Sequence, residues 1–212
     1  NASGKTTLAM VMNALLLPEE GDCTVDGVST KDDPAFARKA IGMVFQDPES
    51  QAVARRVRDD VAFGPGNLGL SGGEVSCRVL EALVEVGLEP LSKSEVSCLS
   101  GGQKQLVAIA GILAMRPSYV VFDEPTALLD GPGRRMVRDA IAGMKKKGIG
   151  VMVITHEMEE AMEADRIVVL QHGRVVADAP PAILFSDDAL TARLGIHPPY
   201  TFLLAKYAGE VP

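Results

Sequence analysis

The chain has 212 residues, 47% of them apolar and 4% aromatic, enough to bury one substantial core with a smaller satellite. A formal charge of -7 argues against a phosphate-neutralising surface for DNA or RNA and against adhesion to anionic lipid, so any membrane attachment is expected to run through a protein partner. Cys23, Cys77 and Cys98 lack zinc-site or disulfide spacing, no signal peptide is visible, and the longest apolar run, Leu106 to Met115, falls short of the roughly 20 residues that cross a bilayer.

In chain order, Asn1-Ala2-Ser3-Gly4-Lys5-Thr6-Thr7 reads as the end of a G-x-x-x-x-G-K-[ST] phosphate loop. Its leading glycine would precede Asn1, so the sequence is expected to begin inside the motif, without the strand that feeds it. A chain starting there is expected to bind nucleotide weakly. Gly4 lets backbone N–H groups approach phosphate, Lys5 brings a positive charge to the β and γ phosphates, and the Thr6 hydroxyl is placed to ligate Mg²⁺. The apolar run Leu8 to Leu17 reads as a buried helix with its positive end toward the anion. Taken alone, such a short match is equally a capped helix start.

Two near-identical words follow. Leu70-Ser71-Gly72-Gly73-Glu74 and Leu99-Ser100-Gly101-Gly102-Gln103 both have the spacing of a capping box that opens a helix. The second leaves outward-facing N–H groups for an anion, whereas Glu74 would set a carboxylate beside any phosphate. The first therefore reads as a structural cap for a helix over Val75 to Val86. Beyond the second word, Tyr119 to Phe122 is a continuous apolar run, as in a parallel strand covered on both faces, with Asp123 at its carboxyl end. Asp123 there can hold Mg²⁺ through water, and the neighbouring Glu124 can accept a proton from, or orient, a water attacking the γ phosphate. A helix is expected from about Gly133 to Lys147, its three terminal lysines complementing the helix dipole. A second strand, Gly150 to Thr155, ends at His156, whose imidazole is placed to meet the γ phosphate and support Glu124. A short helix over Glu157 to Ala164 and a hairpin over Arg166 to Ala177 follow, with His172 as a turn residue. The tail from Pro180 carries helix signals.

The ordered set Gly4-Lys5-Thr6, Gln46, Leu99 to Gln103, Asp123-Glu124, Asp130 and His156 resembles the nucleotide-binding subunit of an ATP-binding cassette (ABC) transporter over nearly the whole chain. The resemblance implies an α/β fold of the P-loop NTPase type: a mainly parallel sheet flanked by helices, an α-helical subdomain, and N-terminal strands missing. Residues 1–47 and 113–180 would form the ATPase core, 48–112 the helical subdomain, and 181–212 a C-terminal extension that helps dimerise two subunits. ATP and Mg²⁺ are the implied ligands. Asn1, Ala2, Ser3, Gly4, Lys5, Thr6 and Thr7 would cradle the phosphates, and Gln46 would touch Mg²⁺ and the attacking water. Two subunits would pack head to tail, with Ser100, Gly101, Gly102 and Gln103 of one covering ATP on the Lys5 loop of the other, and Asp130 at the seam.

The segments Ile41 to Gln51, Asp59 to Leu70, Asn13 to Pro18 and Ala108 to Pro117 are similar to energy-coupling factor ATPases and their cobalt and nickel relatives. That implies a transmembrane coupling protein, a separate membrane protein that captures a vitamin or metal ion, and a peripheral position on the cytoplasmic face of the membrane. Gln51 and the Arg55 to Phe63 segment would lie near the groove for the coupling helices. Leu106 departs from a usual arginine, Gly66 from a common glutamate, Ala2 from a frequent glycine, and Gly131-Pro132 from the usual proline after Asp130. Two other readings stay open: a soluble cassette ATPase without a transport role, and a catalytically impaired subunit that only binds nucleotide.

Overall fold

The computed structural model describes residues 3–209. In chain order it contains α1 (Lys5–Met12), a hairpin of β1 (Thr24–Val25) and β2 (Val28–Ser29), α2 (Pro34–Ala40) and β3 (Ile41–Val44). Helices α3 (Val57–Gly66), α4 (Gly72–Glu85) and α5 (Gly101–Met115) precede β4 (Tyr119–Asp123), α6 (Gly131–Lys146) and β5 (Gly150–Ile154). The chain continues with α7 (Met158–Ala161), β6 (Ile167–Gln171), β7 (Arg174–Ala179), α8 (Pro181–Ser186), α9 (Asp188–Leu194) and α10 (Tyr200–Tyr207). These elements divide into two compact units, residues 9–154 and residues 155–209 with the segment before residue 9.

In the unit 9–154, β3, β4 and β5 form a parallel sheet with β4 in the centre. Because successive side chains point to opposite faces, each strand serves two cores. Val44, Val120, Phe122, Val151 and Val153 join the helices α3 to α6 on one face. Met43, Val121 and Ile154 join Ala9, Val25, Ala37 and Ala40 on the other. The expected two-sided burial of Tyr119 to Phe122 is thus met, apart from exposed Tyr119 at the strand's start. Replacing fully buried Phe122 by Ala would cost about 3–5 kcal/mol. Helix α5 lies so close over β3 that a Cβ on Gly42 would come within 2.2 Å of Ile112. Leu106, the departure noted above, is buried in this core at 2% exposure, where an apolar side chain is favoured over a charge.

The run Leu8 to Leu17 is not one buried helix. Helix α1 ends at Met12, Ala14 turns left-handed at φ 55°, and the N–H groups of Leu15 and Leu16 both donate to the Met10 carbonyl, closing the helix. Ala9 is buried, but Leu8, Leu15, Leu16 and Leu17 are exposed. Consecutive leucines point in every direction around a helix or turn, while the sheet covers a single face. Asp26 and Gly27, at φ 48° and 81°, make the two-residue turn between β1 and β2, and the Asp26 carboxylate accepts a 2.6 Å hydrogen bond from Tyr119. That bond pushes the Tyr119 phenol above its ordinary pKa, because the negative carboxylate disfavours a phenolate.

In the second unit, β6 and β7 pair antiparallel around His172 and Gly173, at φ 49° and 73°, so His172 is the turn residue expected. Helix α7 is only four residues long, shorter than the expected Glu157 to Ala164. Leu184, Phe185, Leu194 and Phe202 form its buried cluster, with the Phe185 and Phe202 rings tilted at 5.7 Å between centroids. Asp187 caps α9 by accepting from the Leu190 N–H.

Candidate nucleotide site

Gly4 stands at φ 92°, a conformation that favours glycine, and its carbonyl accepts from the Leu8 N–H as α1 begins. Ser3 accepts a 3.1 Å hydrogen bond from the Lys5 ammonium, holding that side chain back over the loop. Lys5, Thr6 and Thr7 form the first turn of the helix, where the N–H end of the helix dipole favours an anion. Asn1 and Ala2 lie outside the described residues.

The strand register brings a second group together. Val44 pairs with Phe122, and Asp123 pairs with Ile154, so β3 and β4 deliver Gln46, Asp123 and Glu124 to one carboxyl edge of the sheet. Gln46 is exposed, whereas Asp123 is 8% exposed. Glu124 is half-buried at φ 49°, with its N–H donating to the Ile154 carbonyl at 2.8 Å. A left-handed glutamate is uncommon and costs on the order of 1–3 kcal/mol, a strain that surrounding structure must enforce. Here the enforcing contacts are the bond to β5 and the buried Pro125 and Thr126 that follow. His156 is exposed in the bend directly after β5. Among the described residues no three His, Cys, Asp or Glu side chains gather as a metal cluster. A buried strand-end carboxylate is nonetheless a hard oxygen donor, and it suits an ion that takes few protein ligands and completes its shell with phosphates and water, as Mg²⁺ does.

The third group sits at two helix starts. Ser100 caps α5 by accepting from the Gln103 N–H at 3.3 Å, and the Ser100 N–H in turn donates to the Gln103 side-chain oxygen at 3.0 Å. This is the reciprocal box that the sequence predicts. Asp130 caps α6 through the Gly133 N–H at 2.8 Å, which starts that helix at Gly131 rather than about Gly133. The two glycines of the motif have different surroundings. Gly101 is exposed, whereas Gly102 is buried, and a Cβ on it would lie 2.7 Å from the Gly133 Cα. For Gly102 the crossing of α5 and α6 is the requirement the structure places on it. At the other word, Ser71 caps α4 through the Glu74 N–H, but Glu74 turns its carboxylate to Arg78 at 3.0 Å and gives no return bond.

Sequence reasoning placed Gln51 only by resemblance, near a groove for coupling helices, and gave Gln105 no role. Gln51 accepts from the Phe45 N–H at 3.0 Å and donates to the Phe45 and Asp47 carbonyls, and fully buried Gln105 donates to the same Phe45 carbonyl at 3.2 Å. Their signal was a glutamine directly before the apolar run of α5 and another five residues beyond Gln46.

Among the described residues no helix is long and apolar enough to cross a membrane. Residues 1–127 match the family model described as ABC transporter. The cobalt import ATP-binding protein CbiO of Syntrophus aciditrophicus is 46% identical over 94% of this chain and 72% of its own length. The energy-coupling factor transporter ATP-binding protein EcfA1 of Clostridium novyi is 49% identical over 97% of this chain and 74% of its own. Among solved structures, cbiO1 of Clostridium perfringens, part of the ABC transporter complex cbiONQ, superposes with a TM-score of 0.81 at 34% identity, covering 97% of this chain and 84% of that one. An ATP-binding cassette solved as a dimer in a post-hydrolysis state with ADP and Pi gives 0.72 at 30% identity, covering 84% and 81%. With the phosphate loop, the strand-end carboxylates and the capped glycine motif in their expected order, the chain belongs to the ABC transporter family, among its ATP-binding subunits.

Proposed function

We propose that the chain binds and hydrolyses ATP to energise an importer of the energy-coupling factor class, taking up a vitamin or a cobalt or nickel ion. The names of its relatives support the importer class. Strained Glu124 beside buried Asp123 is the observation that carries the catalytic half.

In this reading the first turn of α1, with Ser3, Gly4, Lys5, Thr6 and Thr7, holds the phosphates, aided by Asn1 and Ala2. Thr6, Asp123 and Gln46 would hold Mg²⁺, which when bound would neutralise charge developing on the phosphoryl oxygens. Glu124 takes the proton of the attacking water, and His156 steadies the γ phosphate. A second copy or a paralogue packs head to tail, so that its Ser100, Gly101, Gly102 and Gln103 close the site and its Asp130 lies at the seam. Residues 1–47 and 113–180 are the ATPase core. Residues 48–112 face a transmembrane coupling protein that holds the subunit peripherally on the cytoplasmic side, with a substrate-capture protein beside it.

Residues 181–212 aid dimerisation, a role that the exposed Tyr200, Leu204 and Tyr207 of α10 support. Undiminished dimerisation after deletion beyond Leu194 would reject that role. Magnesium-dependent ATP hydrolysis by the full-length chain tests the core of the reading. Glu124→Gln is expected to lower kcat by roughly 10²-fold or more while nucleotide still binds. Turnover within a few-fold of the parent would remove Glu124 as the base.

A further inference from the structure

Gln105 stands in an unusual position for a polar side chain. It is fully buried in α5, among Leu106, Val107 and Ile109, and its amide nitrogen donates to the Phe45 carbonyl at 3.2 Å. Its amide oxygen is also buried and meets no hydrogen-bond donor among the described residues. The Phe45 carbonyl has a second donor, the Gln51 amide at 3.1 Å, and Gln51 also accepts from the Phe45 N–H, as a neighbouring strand would. On the surface above, the Lys104 ammonium pairs with Glu49. Two side chains of α5, both within five residues of Ser100, thus grip the loop that begins at Phe45 and carries Gln46, and Gln51 braces that loop from within.

Stability alone does not explain Gln105. If an apolar side chain of similar length replaced it, the Phe45 carbonyl would keep its bond from Gln51, and a buried orphan oxygen would disappear. A core glutamine that the fold does not need points to a role outside packing.

We infer that Gln105 and Gln51 are positioning residues for the Gln46 loop: Gln105 latches it to the glycine-motif helix and Gln51 braces it from within, so that a displacement of the α5 start is transmitted to Gln46. The pairing of β3 with β4 ends at Val44, just before Phe45, so the two amides that bond the Phe45 carbonyl help set where the Gln46 backbone lies. The inference rests on the proposed role of Gln46 for its effect on turnover, but not for its effect on the loop.

The test uses Gln105→Met in the full-length chain, with hydrogen exchange, thermal unfolding and ATPase kinetics measured together. Amides from Gln46 to Gln51 are expected to exchange about tenfold faster or more, while the unfolding midpoint stays level or rises. A misplaced group near the chemistry costs up to about 10²-fold, so kcat is expected to fall about tenfold with KM for ATP within about twofold. Gln51→Met, on a half-exposed residue, should speed the same amides without loosening α5, and it stands in if the Gln105 variant does not fold. Unchanged exchange over residues 46–51 in both variants would overturn the latch. A lowered midpoint with kcat intact would do the same, because it marks Gln105 as a packing residue. If exchange rises but kcat stays level, and Gln46→Ala also leaves kcat level, the latch stands and the role given to Gln46 is what fails.

Discussion

The helix starts at Ser71 and Ser100 are spelled almost alike and are built differently. The Ser100 N–H donates a reciprocal bond to the Gln103 side chain, whereas the corresponding Glu74 is drawn down its own helix to Arg78. Gly102 is pressed against Gly133, whereas a Cβ on Gly72 or Gly73 would meet nothing within 4 Å. Helix α4 buries Val79, Ala82 and Leu83, but α5 buries residues on nearly every side from Gly102 to Ala114. A serine and two glycines therefore specify a cap, and the packing behind the cap decides whether it is only a helix start.

The largest contrast should be catalytic. Ser100→Ala is expected to abolish ATP turnover and Ser71→Ala to leave it near the parent value, although each loses a cap worth about 1 kcal/mol of stability. Steady-state ATPase assays on the two variants check this, and the reverse pattern would sink the assignment.

The second contrast is steric. Gly102→Ala forces a methyl against the α6 backbone and should destabilise by about 1–3 kcal/mol in denaturant unfolding. Gly73→Ala enters open space on a helix and should be neutral or stabilising by up to about 1 kcal/mol. Equal effects would mean that the two words are packed alike.

The smallest contrast involves pH. Glu81 on α4 accepts from Arg116, the left-handed cap residue of α5, at 2.8 Å, and that bond, helped by the Cys77 thiol, holds its carboxyl below the ordinary carboxylate pKa. A carboxyl lowered on folding stabilises above its unfolded pKa, and that gain is lost as pH falls through the folded value. The thermal midpoint should therefore drop slightly more steeply below about pH 4 in the parent than in Glu81→Gln. The pair is exposed, so a small difference is expected.

Much of the site was legible because its parts are local. Asp123 follows an uninterrupted apolar strand, and a capping box needs only Ser100 and Gln103 at the right spacing. The Asp26-Gly27 hairpin was equally readable, through a dipeptide that favours left-handed turns, yet it stands outside the expectations above. Other features depend on distant neighbours. The burial of Gly102 comes from Gly133, the grip of Gln105 on the Phe45 loop crosses from α5 to the end of β3, and the leucines after α1 are exposed because the sheet has one face to offer them. The strain at Glu124 is set by its bond to Ile154, thirty positions along the chain, and no local pattern announces it.

The meeting of Gly102 and Gly133 has a mechanical consequence. Neither residue has a side chain that can rotate or slide, so the crossing offers no soft part to absorb a shift. Ser100 stands two residues from one side of it and Asp130 three from the other, each tied to its own helix by a cap. In the proposed dimer the pair would work as a fixed gauge: a partner surface that met the serine at the wrong offset would also miss the aspartate, so one binding event would read both distances at once.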